Sequence, residues 1–316
     1  GEVIEAGPAV TQFKPGDRVV RWGRADDCAA RGLPDRCPAC ARGHRVLCER
    51  ASEPREHHPI GGGFGDTFIT PASTLVPVPP AVRDEQAIFT EPAAVAIHAA
   101  WRCLPQAGQQ VLVLGVGAIG FLLIQVLRAV QPAAAISAVA EFPWQADLAR
   151  ACGADHVFLA QADGYAETAA RTGARLYHGR AGNRMLLGGF DIIFDVVGIP
   201  ATLTNALRWT RARGTVVLVG VNLHRMNVDL TPVWYQEVNL LGAVGHDIVS
   251  WQGEEISTFD LALRWLQSGD LRTDPLLTHR FPLSAYRQAF ATALDKRQAR
   301  SIKVAFEGLA ASTAEA

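Results

Sequence analysis

Four of the six cysteines lie within one short window of the chain, at positions 28, 37, 40 and 48. Cys37 and Cys40 have the CxxC spacing of a metal-binding knuckle, and four thiolates at such spacing can close a tetrahedron around Zn²⁺. Because four protein ligands leave no open coordination position, the pattern predicts a structural zinc site. Two alternatives stay open: a pair of disulfides, which is disfavoured in a cytoplasmic protein, and four unrelated thiols. The predicted zinc ligands are Cys28, Cys37, Cys40 and Cys48.

A second stretch has the spacing of a dinucleotide-binding turn. The apolar run 111–114 is followed by Gly-x-Gly-x-x-Gly and by another apolar run at 121–127, a pattern typical of a buried strand that leads into a helix. The first glycine permits a tight turn, the second brings bare backbone against a pyrophosphate, and the third lets helix and strand pack closely. A buried strand and helix without a ligand is the alternative. The cofactor residues predicted here are Gly115, Gly117, Ala118, Ile119 and Gly120.

The rest of the chain must position these two groups. Residues 1–80 are rich in glycine, proline and short β-branched runs, which indicates a small β-rich domain. From residue 110 onward, apolar runs typical of buried strands alternate with helical patterns, which predicts an α/β fold with a doubly wound parallel sheet. A longer amphipathic helix is predicted at 250–267 and a final strand at 301–306. The last residues, 310–316, are expected to be a frayed tail.

Composition restricts the class of function. The 316 residues are 49% hydrophobic and 19% charged, and 30 basic residues against 31 acidic ones give a net charge of −1. Such a chain lacks the basic field that nucleic acid or anionic lipid requires, so a small-molecule substrate is expected. The mostly apolar run at 111–124 has fourteen residues, fewer than the roughly 20 of a membrane span. The first twenty residues have no long apolar core, so no signal peptide is predicted and the expected compartment is the cytoplasm.

The order of these features resembles one enzyme family. A Gly-Asp-Arg-Val turn at 16–19, the four-cysteine segment, Glu-Pro-Ala-Ala-Val-Ala-Ile-His at 91–98 and the glycine turn follow one another. Further matching segments lie at 152–155, 191–198, 214–220 and 301–306. The chain resembles the zinc-dependent medium-chain dehydrogenase/reductase family, and is most similar to its threonine, polyol and glucose dehydrogenase branch.

The resemblance implies a GroES-like β-rich catalytic domain, built from both ends of the chain, and a Rossmann domain with a doubly wound parallel sheet. The expected boundaries are a catalytic domain at 1–98 that carries the zinc lobe, an NAD(P)-binding domain at 99–246, and a return to the catalytic domain at 247–316. The family's first cysteine interval is usually shorter than the eight residues between Cys28 and Cys37. We interpret the difference as a tolerable loop insertion.

The resemblance also assigns Glu91 to the catalytic zinc, as a ligand or as a partner of its bound water. The family's other catalytic ligands, a Cys and a Gly-His-Glu segment, would precede residue 1, so the chain is expected to be incomplete at its N-terminus. The alternative for Glu91 is a helix N-terminal residue favoured by the dipole. His57 and His58 follow the cysteine lobe and are interpreted as exposed loop residues.

An acidic residue about twenty positions after the glycines would bind the adenosine ribose of NAD. Ala140 occupies the family's usual acidic position and Glu141 follows it. Glu141 could receive the 2′-hydroxyl and would repel a 2′-phosphate, so we favour NAD over NADP. Arginines at 171, 175, 180 and 184 could reach a phosphate, although a solvated loop explains them more simply. The resemblance places four further residues beside the nicotinamide and its ribose: Val197, Gly198, Gly220 and Val221.

Three functional hypotheses follow from these observations. The first is a zinc-dependent oxidoreductase that transfers a hydride between a secondary alcohol, polyol or sugar-type substrate and NAD(P). The second is a truncated, catalytically silent NAD(P)-binding protein that keeps only the structural zinc. The third is a zinc-independent reductase of the quinone-reductase type, which usually lacks a cysteine lobe. The family resemblance also implies a homodimer or homotetramer.

Overall fold

The computed structural model describes residues 1–22, 27–53, 63–180 and 183–308. The chain divides into two compact units. The first unit combines Gly1–Glu91 with Gly245–Ala316, and the second unit is Pro92–Val244. The first unit is therefore discontinuous in sequence, whereas the second is one continuous segment.

Within the described part of the second unit, six strands form one parallel sheet. Their order across the sheet is β10-β9-β8-β3-β4-β5, so the chain starts in the middle, builds outward to one edge and then crosses to the other side. The prediction of a doubly wound parallel sheet is confirmed. The strands are β3 (Gln110–Leu114), β4 (Ala135–Ala140), β5 (His156–Leu159), β8 (Phe190–Asp195), β9 (Thr210–Leu218) and β10 (Asn239–Gly242).

Helices connect these strands and cover the sheet. They are α4 (Ala118–Val130), α5 (Pro143–Ala151), α6 (Gly164–Thr172), α7 (Pro200–Trp209) and α8 (Thr231–Tyr235). Val111, Leu112 and Val113 are fully buried because a parallel strand with helices on both faces has no solvent side. Helix α4 buries every residue from Gly120 to Leu127. The strand and the helix that flank the glycine turn are therefore fixed in the core.

The second unit also contains a hairpin that the sequence analysis did not predict. Strand β6 (Arg175–His178) pairs antiparallel with β7 (Arg184–Leu187). Interpreting Arg184 as part of a solvated loop is wrong, because its guanidinium bonds Asp163 at 2.8 Å and lies 4.2 Å from the ring centroid of Tyr165. Arg175 and Arg180 are exposed, as expected.

The first unit contains small two-stranded sheets and short helices. Strand β1 (Val19–Arg21) pairs antiparallel with β2 (Leu75–Pro77), and β13 (Leu277–Pro282) pairs parallel with β14 (Lys303–Glu307). The remaining α-helices among the described residues are α1 (Pro38–Ala41), α2 (Asp84–Ala87), α3 (Thr90–Arg102), α9 (Thr258–Ser268), α10 (Tyr286–Leu294) and α11 (Lys296–Ala299). Nowhere in the described ranges is a helix long and apolar enough to cross a membrane.

The prediction of one helix over 250–267 is wrong in its first part. Strand β11 (Ile248–Trp251) and strand β12 (Glu254–Ser257) form an antiparallel hairpin, and helix α9 starts only at Thr258. The turn residues Gln252 and Gly253 both have positive φ, at 52° and 85°, which matches the twist of a two-residue hairpin. The Ser257 side chain then accepts a hydrogen bond from the Asp260 backbone N–H and caps the helix.

Candidate cofactor and metal sites

The four predicted zinc ligands come together in one buried cluster. The Sγ atoms of Cys28, Cys37, Cys40 and Cys48 all lie within 4.8 Å of one another. Cys48 Sγ is 3.7 Å from Cys28 Sγ and 3.9 Å from Cys37 Sγ. Zinc–sulfur bonds of about 2.3 Å in a tetrahedron place sulfurs about 3.8 Å apart. The cysteine cluster therefore has the ligand type, number and spacing that a structural zinc ion requires.

The local backbone supports thiolates in this cluster. The backbone N–H of Cys37 points at Cys28 Sγ and that of Cys40 at Cys37 Sγ, each at 3.4 Å. The backbone N–H of Cys40 is the main cause of a lowered pKa for the Cys37 thiol, whereas desolvation raises the pKa of Cys40 and Cys48. Ionising all four buried thiols thus requires a compensating positive charge, and a bound dication supplies it.

Polar contacts fix the cysteine lobe to the rest of the first unit. The Asp27 carboxylate accepts hydrogen bonds from the Arg45 side chain at 3.0 and 3.1 Å and from the Ala29 backbone N–H at 2.9 Å. The Arg45 guanidinium carbon lies 3.8 Å from the centroid of the Trp22 ring. His44 Nδ1 is 2.7 Å from Asp247 Oδ2, which joins the lobe to the β11–β12 segment.

In the glycine turn, each of the three glycines has a different surrounding. Gly115 has φ +93°, and a Cβ there would lie 2.4 Å from Val197 Cγ2. A Cβ on Gly120 would lie 2.1 Å from the Gly115 carbonyl oxygen, so helix and strand pack backbone against backbone. Nothing lies within 4 Å of a Cβ built on Gly117. The turn is thus closed on its protein side and open at its middle glycine.

The open face of the turn coincides with the start of helix α4. Gly117 is the N-cap residue and supplies no side chain to the helix. The first N–H groups of an α-helix have no partner within the helix and carry the positive end of its dipole. Ala118 and Ile119 are only partly buried, so their backbone is accessible to an anion such as a pyrophosphate.

The ends of two neighbouring strands, β8 and β9, pack closely beside the same glycine turn. Gly198, after β8, has φ +76°, and a Cβ there would lie 2.4 Å from the Gly220 carbonyl oxygen. A Cβ on Gly220, after β9, would lie 2.2 Å from the Val197 carbonyl carbon. The ends of β3, β8 and β9 are therefore in close backbone contact. Val197 and Val221 remain 38% and 82% exposed, leaving an apolar surface at this edge of the sheet.

Asp195 holds this arrangement, a role that the sequence analysis did not assign. Its carboxylate is fully buried and accepts hydrogen bonds from the backbone N–H groups of Val197 at 3.1 Å and Gly198 at 2.9 Å. The Thr202 hydroxyl donates a third bond at 3.0 Å. Desolvation raises the pKa of Asp195, and these bonds partly offset it. Its position at a strand end before glycine was the available sequence signal, because aspartate often caps such turns.

Glu141 occupies the end of the neighbouring strand. Strand β4 ends at Ala140, which is fully buried, and Glu141 is the first exposed residue after it. The residue at the family's usual acidic position therefore has no access to solvent, whereas the carboxylate one residue later does. The Gln161 side-chain amide donates to the Glu141 carbonyl oxygen at 3.0 Å.

Glu91 lies in the first turn of helix α3. Desolvation by the surrounding protein raises the pKa of the Glu91 carboxyl, and the positive charge of Lys303 in β14 lowers it. Glu91 is nevertheless exposed, so water weakens that desolvation. Burial lowers the pKa of Lys303, and the Glu91 charge opposes that shift. His57 and His58 lie outside the described residues.

Comparison with known proteins agrees with the fold. The family model described as "Alcohol dehydrogenase GroES-like domain" matches residues 1–80, and the one described as "Zinc-binding dehydrogenase" matches residues 118–267. L-idonate 5-dehydrogenase of Vitis vinifera is 30% identical over 97% of this chain and 76% of its own length. D-arabinitol dehydrogenase 1 of Uromyces fabae is 28% identical over 96% of this chain and 79% of its own length.

Solved structures give the same result. L-idonate 5-dehydrogenase from Escherichia coli superposes with a TM-score of 0.74 at 26% identity, covering 96% of this chain and 78% of that one. 2R,3R-butanediol dehydrogenase from Bacillus subtilis superposes with a TM-score of 0.71 at 27% identity, with 96% and 77% covered. A unit with a parallel α/β sheet and a glycine turn, in one chain with a GroES-like unit that carries four clustered cysteines, defines a zinc-binding dehydrogenase. The chain belongs to the zinc-dependent medium-chain dehydrogenase family, and the predicted family and fold class are confirmed.

Proposed function

We propose that the chain transfers a hydride between a secondary alcohol, polyol or sugar-type substrate and NAD(P). The observation that carries this proposal is the glycine turn between β3 and α4, since its middle glycine, Gly117, has open space beside it at the N-terminus of the helix, where the backbone can approach a pyrophosphate. The relatives named above are polyol, idonate and butanediol dehydrogenases. Their activities favour a catalytic protein over the silent nucleotide-binding alternative.

The proposed cofactor contacts follow the edge of the sheet. Gly115, Gly117, Ala118, Ile119 and Gly120 would hold the pyrophosphate through backbone N–H groups and the α4 dipole. Val197, Gly198, Gly220 and Val221 would lie beside the nicotinamide and its ribose. Glu141 would accept the 2′-hydroxyl of the adenosine ribose and repel a 2′-phosphate, so we propose NAD as the preferred cofactor. A relative from Escherichia coli, 29% identical, is named for both, as L-idonate 5-dehydrogenase (NAD(P)(+)).

Two roles for zinc are proposed. Cys28, Cys37, Cys40 and Cys48 would hold a structural ion that stabilises the lobe, since these four thiols already surround a space of the right size. Glu91 would lie at a catalytic zinc, as a ligand or as a partner of its bound water. When bound, NAD supplies the hydride acceptor and a catalytic zinc supplies the Lewis acid that favours the alkoxide. We propose the boundaries 1–98 and 247–316 for the catalytic domain and 99–246 for the cofactor domain.

Substrate oxidation tests this proposal directly. The protein, expressed together with any residues encoded before Gly1, is purified and incubated with NAD and, separately, with D-arabinitol, L-idonate, L-threonine and 2R,3R-butanediol, and NADH formation is followed by its absorbance. We expect turnover with at least one of these alcohols. Glu91→Gln should lose turnover and keep NADH binding, whereas Glu85→Gln, a control at the start of helix α2, should keep both.

The outcomes separate the hypotheses. NADH binding without turnover of any alcohol would favour the silent alternative. Absence of both NADH and NADPH binding by the wild-type protein would refute the proposed function altogether.

We further propose a cytoplasmic homo-oligomer, a dimer or tetramer. Strand β10 lies at the edge of the described sheet, and Leu240 is 39% exposed on it. Trp234 and Tyr235, in α8 just before this strand, are also exposed. An open apolar strand edge is a template for pairing with a second copy. Light scattering should give a multiple of 33.9 kDa, and Leu240→Lys should lower the mass. A monomeric wild-type protein would contradict the proposal.

A further inference from the structure

One buried side-chain amide links the glycine turn to the end of strand β4. Gln145 lies in the first turn of α5 and is only 5% exposed. Its Oε1 accepts hydrogen bonds from the backbone N–H of Glu141 at 3.1 Å and of Phe142 at 3.2 Å. Its Nε2 donates to the backbone carbonyl of Val116 at 3.1 Å. Val116 is the residue between Gly115 and Gly117 in the glycine turn.

The three partners require an amide. Backbone N–H groups can only donate and a backbone carbonyl can only accept, so the contacts fix which end of the side chain is oxygen and which is nitrogen. Glutamate has the same shape but would present a second oxygen to the Val116 carbonyl. Methionine has similar length but makes none of the three hydrogen bonds. Gln145 is therefore matched in chemistry, and not only in size, to the gap between the two loops.

The two loops that Gln145 joins are the ones proposed to bind the ribose and the pyrophosphate of the adenosine diphosphate moiety. The turn at 115–120 is proposed for the pyrophosphate, and Glu141 for the 2′-hydroxyl of the ribose. The separation of these contacts must match the ligand, and one side chain bonds to the backbone of both. The backbone N–H groups of Glu141 and Phe142, in the loop after β4, both donate to the glutamine.

We propose that Gln145 is a positioning residue that sets the preference for NAD over NADP by fixing Glu141 relative to the glycine turn. This inference depends on the proposed dehydrogenase function and its assigned cofactor contacts. Gln145 itself touches no cofactor atom. With the Gln145 amide intact, the Glu141 carboxylate accepts a hydrogen bond from the 2′-hydroxyl of NAD and repels the 2′-phosphate of NADP. Without the amide, the backbone that carries this carboxylate is no longer held. The hydrogen bond and the repulsion then weaken together.

The test measures binding of NADH and of NADPH separately, by fluorescence titration of the full chain. In Gln145→Glu and Gln145→Met, NADH affinity should fall about tenfold, corresponding to one hydrogen bond to a charged group. NADPH affinity should stay the same or rise, because a displaced Glu141 repels the phosphate less. The dissociation constant for NADPH divided by that for NADH should therefore fall by about tenfold or more.

A matched control separates positioning from stability. Gln125 in α4 is the same residue type and 7% exposed; its Nε2 donates to Phe121 O, within the same helix, at 3.4 Å and lies 3.7 Å from Cys152 Sγ. Gln125→Met should lower the melting temperature about as much as Gln145→Met does. It should leave the ratio of the NADPH and NADH dissociation constants unchanged. If the Gln145 variants bind NADH and NADPH equally more weakly than the wild type, or bind both as well as the wild type, this inference is overturned and the proposed function is not. Failure of the wild-type protein to bind either dinucleotide would overturn the proposed function as well.

Discussion

Two glycines of one turn should respond in opposite ways to the same substitution. Gly117→Ala adds a methyl group where nothing lies within 4 Å, at a φ of −95° that any residue adopts. The free protein should therefore keep its stability, or gain a few tenths of a kcal/mol because the unfolded chain loses freedom. Gly120→Ala instead puts a methyl carbon 2.1 Å from the Gly115 carbonyl oxygen.

The magnitudes follow from these contacts. A carbon and a carbonyl oxygen rest about 3.3 Å apart, so Gly120→Ala must displace helix from strand by roughly 1.2 Å. Overpacking of this kind costs about 1–3 kcal/mol, which lowers the melting temperature by roughly 2–12 °C for a chain of this size. For Gly117→Ala, loss of one backbone hydrogen bond to a charged phosphate, about 1.5–3 kcal/mol, weakens NADH binding by about 10- to 150-fold.

The assay is thermal unfolding of the free proteins, followed by NADH titration. We expect Gly117→Ala to melt like the wild type and bind NADH poorly, and Gly120→Ala to melt early. Wild-type affinity in Gly117→Ala would refute the pyrophosphate assignment. Wild-type stability in Gly120→Ala would refute the close backbone approach. Since the substitution is the same, a general effect of alanine cannot produce the difference.

Two further predictions concern the metal lobe and a buried ion pair. Cys40→Ser should reduce bound zinc by one ion per chain, measured by atomic emission, and lower the free energy of unfolding by roughly 2–5 kcal/mol; Cys152→Ser should change neither, and an unaltered zinc content in Cys40→Ser would contradict the structural site. Hydrogen bonds from Thr231, with the charge of Arg208, lower the pKa of Asp229 to about 2. Stability from this carboxylate is present above pH 4 and lost as the pH falls from about 4 towards 2, because the folded protein binds the proton less readily. The shift corresponds to about 2.4 kcal/mol, which partial exposure of 33% reduces to about 1 kcal/mol. Asp229→Asn should cost this amount in urea unfolding at pH 7 and progressively less below pH 4, and a difference independent of pH would contradict the assignment.

The central sheet was predictable because its signal is physical and local. A short apolar run with no polar face that ends at a glycine, such as the one before Gly115, is typical of a strand covered on both sides. The three glycines could be assigned separate roles for the same reason. The sequence analysis therefore predicted the fold class, and the comparisons confirm it.

The hairpins were missed because their signals are weak. In β6 three of the four residues are exposed and in β7 only one of the four is buried, so no alternation of apolar residues marks the strands. At β11 and β12 a helical spacing of apolar residues suggested one long helix. Ser257 three residues before Asp260 was the signal for the true helix start, since this spacing is typical of a cap.

The positioning roles of Asp195 and Gln145 could not be predicted from residue types and their spacing in the sequence. Asp195 was visible as part of a family segment, yet its three hydrogen bonds depend on how the turn after β8 folds. Gln145 bonds Val116, which lies 29 residues earlier in the sequence, and a glutamine near a helix start is usually an ordinary capping residue. Only the folded chain shows that its amide oxygen accepts from the backbone of one loop while its amide nitrogen donates to the backbone of another.

The discontinuity of the first unit affects how the protein is made. At about 5–20 residues per second, the ribosome needs roughly 8–30 s to synthesise the segment between residues 91 and 245. Throughout that delay Gly1–Glu91 has no C-terminal partner to fold against, whereas Pro92–Val244 can fold as soon as it emerges. The four thiols of the cysteine lobe are made first and lie close in sequence. Capture of zinc by the nascent lobe would protect them from oxidation during that delay, so we expect the yield of folded protein to depend on zinc supply during synthesis.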